Sequence, residues 1–179
     1  ANTSLIKDIS GEVNRGILVN TKMETSIPDV YAAGDCTEGE DISFQGKRVL
    51  AILPNAYMQG NCAGVNMAGN SAIFDKAIPM NSIGFFGLHA MTAGSYYTAE
   101  QGGELYEEKT EHTLKRLFTK DDYLTGFILI GATDRAGIYT SLIRDRIPLS
   151  SINFEHLKKT ATSTAFSAEK RKQFFGGVV

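Results

Sequence analysis

The chain has 179 residues, of which 42% are hydrophobic and 21% charged, with a formal net charge of −2. That apolar share is ordinary for a globular protein, and scattered, nearly balanced charge argues against a nucleic-acid or membrane-surface role. No apolar run approaches the roughly 20 residues needed to span a bilayer, and two cysteines, Cys36 and Cys62, are too few for a disulfide scaffold, so a reducing cytoplasm is the expected setting.

Residues 1–8 read as a loop into a short helix or turn, and residues 17–19 as a short apolar strand behind Gly16. The stretch T-S-I-P-D-V-Y-A-A-G-D-C-T-E, residues 25–38, reads as a short buried strand over 30–33 that ends in Gly34-Asp35. Val30, Tyr31, Ala32 and Ala33 are apolar or small, as a strand covered on both faces is. Pro28 stands before the run, where its missing N–H does least harm to a ladder. Gly34 lets the backbone come close to a ligand or another segment. Asp35 is then expected just past the carboxyl end of the strand, where open α/β sheets put their ligands.

Residues 38–48 are polar and glycine-punctuated and read as a loop. A helix is predicted from Asn55 to about Ala68, with Ala56, Gln59/Gly60, Ala63/Gly64 and Met67/Ala68 on one face. Gly60 and Gly64 each cost about 1 kcal/mol of helicity against Ala. Close approach of the helix to a sheet or a ligand is the expected compensation.

The character changes around residues 71–77, and Pro79 and Asn81 read as a linker. Four strands are predicted after it, over 82–90, 103–110, 113–119 and 123–131, with a hairpin turn at Lys120-Asp121-Asp122. Short connections make the sheet antiparallel. Thr133 or Asp134 can cap a helix running to about Arg144, with Ala136, Tyr139, Leu142 and Ile143 inward. Pro148 ends that unit. Residues 152–159 and 168–175 read as two short helices, the second capped by Ser167.

Few residues carry a chemical signature of their own. Cys36 reads as a small buried residue in preference to a redox thiol, and Cys62 as helix core. His89, His112 and His156 have no partner at metal-ligand spacing, so no metal site is expected. Glu100, Glu104, Glu107, Glu108 and Glu111 read as a solvated strand edge that discourages edge-to-edge pairing, with a docking face for a redox partner as the weaker reading. Lys170-Arg171-Lys172 reads as a solvated helix face.

Four segments in order resemble the FAD-dependent pyridine nucleotide-disulfide oxidoreductases, in the branch of NADH oxidase, NADH:rubredoxin reductase and nitrite reductase. They are G-I-L-V-N at 16–20, the stretch at 25–38, L-P-N-A-Y-M-Q-G-N-C-A-G-V-N-M-A-G at 53–69 and N-S-I-G-F-F-G-L-H-A-M-T-A-G at 81–94. The likeness covers roughly the first four-fifths of the chain. It departs from the family in lacking both G-x-G-x-x-G turns, for FAD and for NAD(P)H, and the redox-active cysteine motif. Gly102-Gly103 and Gly176-Gly177 have neither the spacing nor a preceding strand. The resemblance therefore implies the C-terminal part of a longer enzyme, beginning inside its FAD domain, and Ala1 in place of an initiator Met fits that expectation.

The implied fold is α+β. Residues 1–76 would be the C-terminal part of an FAD-binding α/β domain. Residues 77–148 would be a small interface or dimerisation domain, an antiparallel sheet with a packed helix, and residues 149–179 a helical tail. The resemblance makes Gly34 and Asp35 cofactor-binding, with the Asp35 carboxylate on ribityl or ribose hydroxyls of FAD. The plain alternative is a strand-end Asp capping the next turn. It also makes Leu53, Pro54, Asn55 and Ala56 a helix start aimed at the flavin N1–C2=O edge, where the dipole favours negative charge on the reduced ring. Pro54 suits a first helical turn, and a helix start with no ligand is the alternative.

No catalytic residue is assigned. The implied activity is hydride transfer from NAD(P)H to FAD, and then electrons to an acceptor. The chain would be catalytically incomplete alone and would not retain FAD. The alternative is a non-enzymatic dimerisation or redox-partner docking module. The implied partners are the missing N-terminal FAD/NAD half, a second copy of the chain, and a small redox protein. Surface made to pack on a missing half predicts self-association through residues 17–19, 30–33 or the 56–68 helix face.

Overall fold

The computed structural model describes residues 1–44 and 46–175, and they fall into two compact units that divide after Pro79. The Gly176-Gly177 pair lies outside the described residues.

The first unit contains α1 (Ser4–Asp8), β1 (Ile17–Leu18), β2 (Thr37–Glu40), β3 (Lys47–Arg48) and α2 (Leu53–Met67). β1 pairs parallel to β2, and β2 pairs antiparallel to β3. Val19, Met23, Cys62 and Ala63 form a small core, with Tyr31, Ala32, Ala33, Ala72 and Phe74 packed against it.

Two expectations for this unit are corrected. Residues 30–33 are not a strand buried on both faces: they are half-buried, and Tyr31 makes only an isolated bridge to Glu24. Pro28-Asp29 sit at the centre of a turn closed by the Val30 N–H on Ile27 O, with Asp29 at φ +63°. The turn folds the chain back, and the Val30 carbonyl accepts from both the N–H and the hydroxyl of Thr25. The second correction follows from the first. The strand lies after Gly34-Asp35, so Asp35 stands before the amino end of β2 and not past a carboxyl end.

The loop expected over 38–48 carries β2 and β3. Its polarity is deceptive because Glu38 is buried. The Glu38 carboxylate accepts from Asn14 Nδ2 at 3.0 Å, Arg15 N at 2.9 Å and Gly16 N at 3.0 Å. A buried carboxylate needs such donors, and they fasten the turn before β1 to β2. Asp41 is buried as well. One oxygen accepts from the Ser43 N–H at 2.8 Å and hydroxyl at 2.7 Å, and the other faces Arg48 Nε at 3.4 Å.

The second unit is an all-antiparallel sheet of β4 (Met80–Phe85), β5 (Leu88–Gly94), β6 (Glu104–Lys109), β7 (Leu114–Lys120) and β8 (Tyr123–Ile130), in the order β4-β5-β8-β7-β6. The first predicted strand is in fact a hairpin of two. Phe86 and Gly87 form its turn, with φ +47° and +81°, the left-handed conformations a tight hairpin turn requires. Phe86 is 94% exposed there. Gly94, at φ +77°, admits no side chain: a Cβ would stand 2.0 Å from Thr125 O.

α3 (Ala136–Arg144) packs on β8 and β5 through Ala136, Tyr139, Leu142 and Ile143, the four residues expected inward. Arg135, and not Thr133 or Asp134, occupies the N-cap position. α4 (Phe154–Lys159) and α5 (Ala168–Phe175) follow. Residues 149–166 are fastened into this unit: Leu149, Leu157 and Phe166 are buried, and the Tyr139 hydroxyl donates to Leu157 O at 2.9 Å. The Lys115 ammonium donates to the Lys158 and Lys159 carbonyls at 3.0 and 3.2 Å.

Candidate functional site

The predicted site residues divide between a turn and a helix start. Gly34, Asp35 and Cys36 form a turn into β2, closed by the Thr37 N–H on Gly34 O at 3.0 Å and by the Thr37 hydroxyl on the same oxygen at 2.8 Å. Gly34 has φ +89°, a conformation for which glycine is suited. Asp35 is exposed. Among the described residues its carboxylate has no hydrogen-bond partner.

α2 begins after an extended Ile52, with Pro54 in its first turn and no side-chain cap. Its first N–H groups therefore lack partners within the helix and carry the positive end of the dipole. The helix has no charged residue. Leu53 is 84% exposed, while Asn55 is fully buried.

One face of α2 docks this helix by amides. Asn55, Gln59, Cys62 and Asn66 recur at spacings of four, three and four, and all are buried. Asn55 Nδ2 donates to Ile78 O at 3.1 Å. Gln59 Oε1 accepts from the Gly34 N–H at 2.7 Å and the Thr37 hydroxyl at 3.0 Å. Asn66 Nδ2 donates to Lys22 O at 2.9 Å and Ala72 O at 3.0 Å, and its Oδ1 accepts from the Ala72 N–H at 2.8 Å. Each amide satisfies loop backbone that would otherwise be buried without partners. Asn55 Oδ1 is the exception, a buried acceptor with no partner among the described residues.

This stripe brings the two halves of the predicted site together. A Cβ on Gly34 would lie 3.8 Å from Ala56 Cβ, so the turn rests on the first turns of α2. Asp35 is adjacent. Leu53 and Pro54 face solvent, and Asn55 turns away toward Ile78. Sequence reasoning missed Gln59 and Asn66 as fasteners. The signal was there as amides at heptad spacing in an uncharged helix.

Gly60 and Gly64 are exposed, and among the described residues a Cβ on either would meet nothing within 4 Å, so no segment of this chain comes close to them. The face expected over 56–68 thus mixes two sides of the helix: Gln59 and Ala63 are buried, while Gly60, Gly64, Met67 and Ala68 are exposed.

Both cysteines are free. Cys36 is half-buried, and burial raises the Cys62 thiol above its ordinary value. Among the described residues no three of His, Cys, Asp and Glu stand together as metal ligands, and no helix is long and apolar enough to cross a membrane. A groove of about 500 Å³ in the second unit, lined by Tyr106, Asp122, Phe154, Glu155 and Lys158 among others, contains none of the predicted site residues. In the acidic stretch, Glu107 pairs with Arg116 and Glu108 with Lys115 across β6 and β7.

Residues 1–60 match the family described as pyridine nucleotide-disulphide oxidoreductase. The chain is 38% identical over 144 residues to the NADH-dependent phenylglyoxylate dehydrogenase subunit epsilon of Aromatoleum evansii, covering 77% of this chain and 34% of that protein. It is 39% identical over 93 residues to the NADH-rubredoxin oxidoreductase of Clostridium acetobutylicum, covering 52% of this chain and 23% of that protein. The chain therefore spans about a third or less of the curated relatives it matches. A solved FAD-dependent pyridine nucleotide-disulphide oxidoreductase from Desulfovibrio vulgaris shares the fold with a TM-score of 0.76 at 22% identity, over 92% of this chain and 44% of that one.

Proposed function

We propose that the chain, whose residues 1–60 match the pyridine nucleotide-disulphide oxidoreductase family, forms one wall of an FAD site in a longer NAD(P)H-dependent oxidoreductase of that family. The observation that carries this reading is the Gly34–Gln59 bond, which seats an exposed carboxylate against the start of α2. The residues present fit one side of such a cofactor. Asp35 offers an uncommitted acceptor to diol hydroxyls. The N–H of Leu53, at the exposed positive end of the helix, can meet partial negative charge there. Bound FAD would carry electrons from NAD(P)H to an acceptor. The protein residues here orient and bind: Gln59 fixes Gly34, Gly34 fixes Asp35, and Pro54 presets the helix start. On this reading the chain, which spans about a third of its relatives' length, is catalytically incomplete alone.

The test is flavin binding. The full parent protein is expected to purify with flavin absorbance, this chain to lack it, and Asp35→Asn in the parent to weaken retention at least tenfold. A parent without flavin, or one indifferent to Asp35→Asn, sinks the reading.

A docking module for a redox protein or a second subunit is the second reading. It is favoured by the exposed apolar cluster Ile83, Phe85, Phe86 and Leu88 at the β4–β5 hairpin. A 31% identical relative bears the name assimilatory nitrate reductase electron transfer subunit, which is consistent with a small redox partner. Free cysteines agree with a cytoplasmic setting.

A further inference from the structure

Asn55 lies in the first turn of α2, fully buried, and donates from Nδ2 to Ile78 O at 3.1 Å. Its Oδ1 is buried too and has no partner among the described residues. An unpaired buried acceptor costs stability, so packing alone does not favour an amide at this position. Breaches of this kind are expected where a function offsets them. The segment on the other side of the bond needs the donor. Ala77 and Ile78 are buried, Ala77 O accepts from the Ile42 N–H at 3.1 Å, and Pro79 behind them has no N–H with which to continue a ladder.

The start of α2 is thus held by two segments. The Ile78 carbonyl takes Asn55, and the Gly34 turn rests on Ala56, its neighbour. No side-chain cap secures this end, and Ile52 before it is extended, so the direction of the first turn is set from outside the helix. We propose that Asn55 is a positioning residue of the FAD site: it does not touch the cofactor, and through Ile78 it sets where the positive end of α2 points. This deepens the FAD reading and rests on it. Asn66 supplies the contrast. It docks the far end of the same helix by the same chemistry, to Lys22 O and Ala72 O, about 16 Å along the axis from Asn55. Both amides anchor the helix, but only Asn55 aims its start.

The experiment compares Asn55→Leu with Asn66→Leu in the full parent protein. Each removes one buried docking amide, and each should lower the melting temperature. Only Asn55→Leu should weaken flavin binding, by about fivefold, and move the flavin midpoint potential to a more negative value, because the helix end no longer faces the same edge. In this chain without flavin, exchange of the Ala56 amide, which bonds Ile52 O, should accelerate in Asn55→Leu and not in Asn66→Leu. Should Asn55→Leu not fold, Asn55→Ala adds nothing to the core and gives the same comparison with Asn66→Ala. Flavin affinity and potential unchanged at position 55 overturn the proposal, and so does an equal loss at position 66. A parent that binds no flavin overturns the FAD reading instead, and Ala56 exchange then decides whether Asn55 sets the helix start.

Discussion

The Gly34 N–H donates to Gln59 Oε1 at 2.7 Å across 25 positions of sequence. Through that bond a loop turn of otherwise unremarkable composition is held to the helix that follows it. The Thr37 hydroxyl shares the same oxygen. One side chain therefore sets where Asp35 stands.

Gln59→Ala should cost about 1 kcal/mol, because it leaves the half-buried Gly34 N–H without its acceptor, while the Thr37 hydroxyl keeps Gly34 O. Urea unfolding of the two proteins measures the difference, and exchange of the Gly34 amide should accelerate in the variant. Unchanged Gly34 exchange would mean that the bond does not hold the turn.

Asp41 and Glu108 should respond to acid with opposite signs. Burial raises the Asp41 carboxyl, against the Ser43 bonds and the Arg48 charge that lower it. Its folded form thus binds a proton more readily than the unfolded chain. As pH falls through the window between its raised folded value and the ordinary carboxylate value, the Asp41 contribution to stability rises. Glu108 is held low by the Lys115 hydrogen bond and charge. Its contribution is present above the ordinary value and is lost as pH falls through the folded one, and at this exposure it amounts to at most about 1 kcal/mol. Melting against pH for Asp41→Asn and Glu108→Gln should therefore diverge from the parent curve in opposite directions. Parallel curves would refute the assignment.

Cys62 should resist alkylation while the protein is folded. Its thiol is buried, bonded toward Thr21 O and Ala72 O, and raised above its ordinary value by burial. The thiolate is the reactive form. Mass spectrometry after iodoacetamide should find Cys36 modified well before Cys62. Equal rates in native buffer would show that α2 opens freely.

Tyr139→Phe should destabilise the second unit by about 1 kcal/mol, because it leaves the Leu157 carbonyl without its donor. The hydroxyl is buried and its pKa is pushed up to about 12, so the loss should be the same at pH 6 and pH 9. The phenyl ring stays against Phe127, 5.7 Å between centroids, which isolates the hydrogen bond as the cause. Exchange at amides of 154–159 should rise in the variant.

The second unit was more legible in sequence than the first, for a physical reason. The inward residues of α3 and the strands at β6, β7 and β8 follow from apolar periodicity, and those elements pack by apolar burial. The β4–β5 hairpin was hidden because Phe86 occupies a left-handed turn position where Asn or Gly is usual. In the first unit, Glu38 and Asp41 read as solvated loop residues and are buried acceptors. Pro28-Asp29 read as the entry to a strand and make a turn. The candidate site was legible as Gly34, Asp35 and a helix start. Its fasteners were not, because Gln59 and Asn66 dock through direction and not through hydropathy.

An amide-docked helix also dictates an order of events. Apolar seams can collapse first and adjust afterwards, but the amides of α2 find partners only once the backbone at Lys22, Gly34 and Ala72 has taken its final path. α2 is therefore expected to be the last piece of its unit to settle, although Cys62 and Ala63 also join its core. In a pulse-labelled refolding experiment, the Ala72 and Gly34 amides should gain protection together and after the Val19 amide, which bonds Glu38 O. Earlier protection at Gly34 would reverse that order.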